Sequence, residues 1–386
     1  MYPTISDLIF DLTGINIPLP IQSFGFMMAI SFLLAAYTLT LEFKRKEREG
    51  IFKPITVKTL VGEKASVTEL AASFLLGFVL GYKLIYAVFN YSDFVDDTQG
   101  ILLSAEGSWP GGIVVGAFAA WMKYREKERE KLAKPEWRIE EVHPYQLVGN
   151  ITIIAAVAGL IGAKIFHNLE NLDEFAEDPW GSLISFSGLT MYGGLILGAV
   201  AVIWYTRKNN MNPYHVTDAA APGLMLSYGT GRLGCHISGD GDWGIVNTNP
   251  KPDWLSILPD WMWGYTYPHN VLSEGIPIPG CVGKHCMMLP EPVYPTPFYE
   301  AVMCIGLFFV LWQLRKYIAI PGVLFSVYLI LNGVERFFIE KIRVNTKYHI
   351  FGNEITQAEI ISVVLILLGI AGIIICRKMA AKNKSA

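Results

Sequence analysis

The chain has 386 residues, 52% hydrophobic and 17% charged, with a mean hydropathy of +0.37 and a formal net charge of −3 at pH 7. It is long enough for two or three soluble domains but too apolar for an ordinary soluble enzyme, and its near-neutral total charge suggests neither a nucleic-acid binder nor an acidic disordered tail. The apolar residues gather into runs of about 20, the length at which an α-helix crosses a hydrocarbon core of about 30 Å, so the sequence reads as an all-α polytopic integral membrane protein.

Residues 1–20 lack the basic n-region of a signal peptide and are expected to stay uncleaved, as a periplasmic surface segment with a mixed apolar and acidic helix over Ile5 to Gly14. Nine spans are expected, beginning near Ile21, Thr68, Pro110, Leu147, Leu183, Asp218, Pro297, Ile318 and Ile355. The third has a continuous apolar part only from Gly111 to Met122, which fits a re-entrant element almost as well as a crossing. Residues 21–377 would form a single transmembrane domain with a long periplasmic loop over 238–296, followed by a basic tail at 378–386.

Loop charge decides the orientation. Taking alternate loops as one side collects 22 Lys and Arg, seven of them between Lys44 and Lys64 and seven between Lys123 and Arg138. The other side holds Lys251, Lys284, Lys341, Arg343 and Lys347, and its loops at Asp93 to Asp97 and Glu170 to Asp178 carry no basic residue. The positive-inside rule then puts the N-terminus in the periplasm and the C-terminus in the cytoplasm, and it favours crossing for the third run.

A repeat emerges when the spans are aligned. Gly81, Lys83, Asn90 and Phe94 match Gly162, Lys164, Asn171 and Phe175 at identical offsets, and Gly111, Gly112, Gly116 and Trp121 match Gly193, Gly194, Gly198 and Trp204. Residues 68–125 and 147–206 therefore read as a duplicated two-helix hairpin.

Four basic residues fall inside spans: Lys83, Lys164, Arg232 and Arg336. A charge at membrane depth costs at least about 2.5 kcal/mol, so each needs a partner, an aqueous cavity or a route to the headgroups. The densest chemistry runs from Gly231 to Gly244, where Gly231, Arg232, Gly234, Cys235, His236, Ser238, Asp240, Asp242 and Trp243 combine close backbone approach, a cation, carboxylates and an aromatic. A guanidinium fork matches phosphate better than an ammonium does, which points to an anionic headgroup. A calcium loop is the competing reading of the Asp and Gly stretch, but the further ligands of an EF-hand are missing. A second cluster, Tyr294 to Glu300, opens the seventh span. A third places Arg336, Glu340 and Arg343 at i, i+4 and i+7, on one helical face.

In these motifs the chain resembles the bacterial prolipoprotein diacylglyceryl transferase family. The family's G-R-x-G-N-x-x-N-G run is similar to Gly231–Gly244, its Gly-Gly-Leu to Gly193–Leu195, and its P-[ST]-x-x-Y-E box to Pro295–Glu300. Its R-x-x-x-E element matches Arg336 and Glu340, its T-Q helix start matches Ile355–Ile360, and its aromatic-Gly position matches Phe24-Gly25. Departures are Cys235 and Ser238 for the two usual Asn, one extra residue before Gly244, Phe24 for Tyr, Tyr294 for His, and Tyr192 where the family has the His of His-Gly-Gly.

The resemblance implies transfer of the diacylglyceryl group of phosphatidylglycerol to the lipobox cysteine of a prolipoprotein, in the inner membrane, with the site facing the periplasmic leaflet. It implies catalytic roles for Tyr192, Arg232, His236, Arg336 and Glu340. Substrate-binding roles would fall to Gly193, Gly194, Gly231, Gly234, Cys235, Ser238, Asp240, Gly244, Tyr294, Tyr299, Glu300 and Arg343. Either Tyr192, by position, or His236, by its ordinary pKa of about 6.5, would take the thiol proton. No cofactor, metal or nucleic acid is called for, and a monomer is expected. Cys281 and Cys286 lie where a disulfide is permitted. An inactive lipid-binding scaffold is the alternative function. A transporter fits less well, because a duplicated helix pair keeps its orientation whereas alternating access commonly uses inverted repeats.

Overall fold

In the computed structural model, which describes residues 1–185, 188–345, 347–350 and 353–385, the chain is mostly helical. Helices follow in order as α1 Ile5–Thr13, α2 Ser23–Arg48, α3 Val67–Phe89, α4 Tyr91–Asp96, α5 Thr98–Leu103, α6 Trp109–Glu130 and α7 Val148–Glu170. After these come α8 Leu172–Glu177, α9 Pro179–Ile184, α10 Met191–Lys208, α11 Pro213–Ser238, α12 Thr296–Leu314, α13 Val323–Glu340 and α14 Gln357–Ser385. Among the described residues, five segments are long and apolar enough to cross a membrane: Ser23–Arg48, Val67–Phe89, Pro144–Glu170, Thr296–Leu314 and Gln357–Lys382. They turn outward residues such as Leu75, Leu76, Leu367 and Leu368. Exposed leucine on helices whose backbone is internally bonded suits lipid, not water, and the chain is a helical membrane protein. Helices α6, α10, α11 and α13 also reach 18 residues or more but are more polar, with Arg207 and Lys208 ending α10 and charged residues on the other three.

Three helix starts differ from expectation for local reasons: the sixth begins five residues early, at Pro213, where Asn212 caps it and proline suits the first turn. The fifth apolar run begins in α9, so its long helix starts only at Met191. The eighth starts at Val323, after Gly322 in the left-handed region (φ 86°). The all-α expectation also misses three two-stranded antiparallel sheets among the described residues. The largest pairs Ile55–Val61 with Glu136–Val142, joining the two most basic loops across the intervening hairpin.

By contacts the chain forms two compact units, residues 53–205 and residues 1–52 with 206–386. Within 53–205, sequence-matched residues make matched contacts. A Cβ on Gly81 would collide with the Gly111 carbonyl and Val115, and one on Gly162 with the Gly193 carbonyl and Leu197, so each glycine lets two helices close on each other. Asp97 caps α5 at Gly100 N (2.8 Å) and Asp178 caps α9 at Gly181 N (2.9 Å). Lys83 Nζ donates to the carbonyls of Ile101 (2.8 Å) and Glu106 (2.8 Å), and Lys164 Nζ to Ser185 Oγ (2.9 Å). Both lysines thus fasten the end of a short helix, Lys83 on carbonyls that lack helical partners and Lys164 on a serine hydroxyl.

In the other unit, α11 packs against α2, α12 and α13, and α13 against α14. Met225, Cys304, Phe308, Leu311 and Leu324 form its core. At the Arg48 end of α2 the fully buried Glu42 pairs with Arg45 and Arg315, and the buried Asp218 accepts from amides at the start of α13, Gly322 N (2.7 Å) and Phe325 N (2.8 Å). The long loop folds over a small core of Trp243, Tyr267, Leu289 and Val293, and Cys281 and Cys286 are joined in a disulfide. The α-amino group of Met1 donates to Pro268 O (2.9 Å), which ties the N-terminus to that loop.

Candidate active site

Helices α11 and α13 end, and α12 begins, on one side of the same unit, and these three ends bring their charged residues together. Glu300, one turn into α12 and fully buried, is the hub. Its Oε2 accepts from Arg232 Nε (2.5 Å) and the Tyr228 hydroxyl (2.9 Å), and its Oε1 accepts from Arg336 Nη1 (3.2 Å) and Arg343 Nη1 (2.9 Å). Arg336 Nη2 lies 3.2 Å from Glu340 Oε2 within α13, as the i, i+4 spacing dictates, and Asn345 Nδ2 donates to Glu340 Oε1 (2.6 Å). The Asp242 carboxylate bridges Arg232 Nη1 and Arg343 Nη2. Burial alone would raise the Asp242 carboxyl, but the guanidiniums of Arg232 and Arg343 hold it below its ordinary value; Asp240, further from them, is pushed up by burial.

Three guanidiniums are thus matched by the three carboxylates of Asp242, Glu300 and Glu340. That balance meets the usual condition for burying charge at membrane depth. The Arg232 guanidinium also stands 5.2 Å from the centre of the Tyr228 ring, one turn earlier on α11. Glu335, on α13 beside this network, has both carboxyl oxygens buried without a hydrogen-bond partner.

Arg232, Arg336, Arg343, Glu300 and Glu340, singled out in the sequence, meet here. Gly244 carries the chain past them with its amide on Tyr294 O (2.8 Å), so close to the Ile342 carbonyl and Tyr294 that a side chain would collide. Gly234 packs on Met27 and Gly231 near Met28, while Ser238 Oγ caps the α11 end on Gly234 O (2.9 Å). His236 turns elsewhere: its Nδ1 lies 3.2 Å from the Tyr267 hydroxyl, and its ring stacks on Trp261 (5.3 Å) among Tyr265 and Phe298. The Tyr294 hydroxyl accepts from Asn249 Nδ2 (2.9 Å) and the Tyr299 hydroxyl donates to Met262 O (2.7 Å). Both tyrosines line an apolar cavity of about 560 Å³ with Leu255, Leu258, Phe298 and Phe338. Its wall also includes Ile342, the residue before Arg343. Tyr192, Gly193 and Gly194 belong to the 53–205 unit, at the start of α10, where Gly193 admits Phe166 of α7.

Sequence reasoning passed over Tyr228 and Asn345. The first was detectable as the aromatic one turn before Arg232. Nothing in the local pattern marks the second. Among the described residues, Cys235, Asp240 and Asp242 bring ligand-type atoms within 4.8 Å of one another. A cation there would face Arg232 and Arg343, which already hold both Asp242 oxygens, so the charges oppose it.

The fold and this site define a membrane protein with an arginine-rich polar centre set against an apolar cavity. The sequence pattern of one family, described as prolipoprotein diacylglyceryl transferase, matches residues 130–375, and the chain belongs to that family and is by membership a transferase. It is 27% identical to the phosphatidylglycerol--prolipoprotein diacylglyceryl transferases of Staphylococcus aureus strains bovine RF122 / ET3-1 and MRSA252, over 74% of this chain and 90% of theirs.

Proposed function

We propose that the chain moves the diacylglyceryl group of phosphatidylglycerol to the thiol of a lipobox cysteine in a prolipoprotein. The sulfur attacks the glycerol carbon, the carbon–oxygen bond to phosphate breaks, glycerol phosphate leaves with the bonding pair, and the thiol proton passes to a base. The observation that carries this reading is the arginine and carboxylate network beside a 560 Å³ apolar cavity. An anionic headgroup and an acyl chain need those two environments side by side, and the guanidiniums stabilise the charge that grows on the leaving phosphate. The test is whether radiolabelled glycerol from phosphatidylglycerol becomes bound to a lipobox peptide through a thioether in the presence of the purified protein. Lipid binding without transfer would favour an inactive scaffold.

Nine crossings of the bacterial inner membrane, with the N-terminus and the site on the periplasmic side, complete the proposal. Helix α6 has 22 residues, about 33 Å, enough to cross if its charged end from Lys123 onward emerges in the cytoplasm. A cysteine placed at Glu130 should then be shielded from an impermeant thiol reagent added outside intact cells, and labelling there would make α6 re-entrant.

The base is assigned between Tyr192 and His236 by their variants. If Tyr192 takes the proton, Tyr192→Phe lowers turnover by roughly 10² or more with lipid binding intact, and His236→Gln is milder. The aromatic enclosure of His236 supports that order. The reverse order in a single-turnover assay transfers the role to His236.

A further inference from the structure

Asp242 stands apart from the other carboxylates of the network. Its side chain is 31% exposed, whereas Glu300 is 0%, Arg343 8% and Arg232 14% exposed, so it is the carboxylate through which the guanidiniums meet the outside. Each of its oxygens takes one guanidinium, Arg232 from α11 and Arg343 from just beyond α13. One negative charge shared over two oxygens between two forks is also what a phosphodiester presents through its non-bridging oxygens.

The surroundings allow an exchange. The Asp242 carbonyl accepts from Thr296 Oγ1 (2.7 Å), and Gly244 forms an isolated β-bridge with Arg343, so the backbone is pinned while the side chain stays on the open side. Arg343 Nε is buried without a hydrogen-bond partner, which leaves a donor free for a ligand with more acceptor oxygens than a carboxylate. The apolar cavity ends at Ile342 and Tyr294, against the same stretch of backbone, and so places an acyl chain beside this point.

We propose that the Asp242 carboxylate is a resident stand-in for the substrate phosphate: the guanidiniums of Arg232 and Arg343 that it bridges form the anion subsite, and a phosphodiester lipid binds by displacing it. The inference rests on the reading of Arg232 as a phosphate-binding residue and adds the second arginine and the internal competitor. Asp242 stays ionised because the two arginines hold its carboxyl down despite burial, so the competition persists at neutral pH. Affinity for lipid is thereby weakened, and an empty site does not leave arginines uncompensated at membrane depth.

The test is a titration of the full-length protein in neutral detergent with inorganic phosphate, followed by calorimetry, with no peptide present. Asp242→Asn should bind phosphate about tenfold or more tightly than the unaltered protein, the scale of one charge-assisted hydrogen bond released from competition. Asp242→Glu, which keeps the charge, should not tighten. Adding Arg343→Gln to Asp242→Asn should abolish the gain. Phosphatidylglycerol added to the micelle should compete with phosphate, whereas diacylglycerol should not. Unchanged or weaker phosphate binding by Asp242→Asn overturns the proposal, as does failure of phosphatidylglycerol to compete, which would assign free phosphate to a separate site. If Asp242→Asn does not fold, Asp242→Ser carries the same expectation, and failure of both to fold makes Asp242 a structural counter-ion and overturns the proposal. Because no transfer is measured, absence of transferase activity would leave this result readable, and normal transfer with unaltered phosphate affinity would refute the stand-in alone.

Discussion

Glu300→Gln is expected to destabilise the protein and to lower transfer by at least 10². Glu300 is fully buried and its two oxygens accept four bonds, from Arg232, Arg336, Arg343 and Tyr228. The amide removes one negative charge and turns an NH₂ toward donors, so three guanidiniums face two carboxylates and at least one N–H meets another. Breaking a buried pair by neutralising one partner costs about 3–5 kcal/mol, and three helices are joined at this one residue. Thermal unfolding of the purified protein should show a clear fall in Tm, and single-turnover transfer the loss in rate. Glu300→Asp, with the charge kept but one methylene shorter, should lie between. An unchanged Tm for Glu300→Gln would mean that the arginines are compensated elsewhere.

The long helices were the most legible part of the chain, because an apolar run of about 20 residues has few alternatives in lipid. Equal offsets from Gly81 to Gly162 and from Lys83 to Lys164 reflect matched contacts, though why the lysines are tolerated became visible only once their acceptors at the ends of α5 and α9, the Ile101 carbonyl and the Ser185 hydroxyl, were placed. What escaped was non-local. The alternation in Ile55–Val61 was present, but its partner strand lies some eighty residues away, and the abundance of lysine and arginine made both segments read as loops. Hydropathy continued through Leu183 although the helix does not, since a short helix and a long one share that apolar run.

The candidate site divides in the same way. Arg336 and Glu340 were readable as neighbours on one helical face because their spacing is local, but Arg343, expected on the same face, lies past the end of α13 at Glu340 and forms a β-bridge with Gly244 instead. The resemblance implied a catalytic role for His236, which lies four residues after Arg232. The long loop, which has no periodic signal, supplies the rings of Trp261, Tyr265 and Tyr267 that surround the imidazole. Asp242 was visible as an acidic residue in a glycine-rich run, but its two guanidinium partners come from segments ten and about a hundred residues away.

Arg232→Lys should fold and insert yet lose transfer by on the order of 10² to 10³, the cost of removing one preorganised donor. The guanidinium uses separate nitrogens for separate partners, Nε for Glu300 and Nη1 for Asp242, while its plane rests over Tyr228. An ammonium keeps the positive charge that Glu300 requires, which is why the fold should survive, but one nitrogen on a flexible stem cannot hold both directions. The loss should fall on the chemical step, because the bonds at stake strengthen as the departing phosphate gains charge. Arg336→Lys should be hurt less, since a single ammonium can still pair with Glu340 one turn along the same helix. Single-turnover rates for the two variants, with lipid affinity measured separately, decide the matter. Full transfer by Arg232→Lys would sink the two-pronged phosphate contact, and full transfer by Arg232→Ala would remove Arg232 from the reaction.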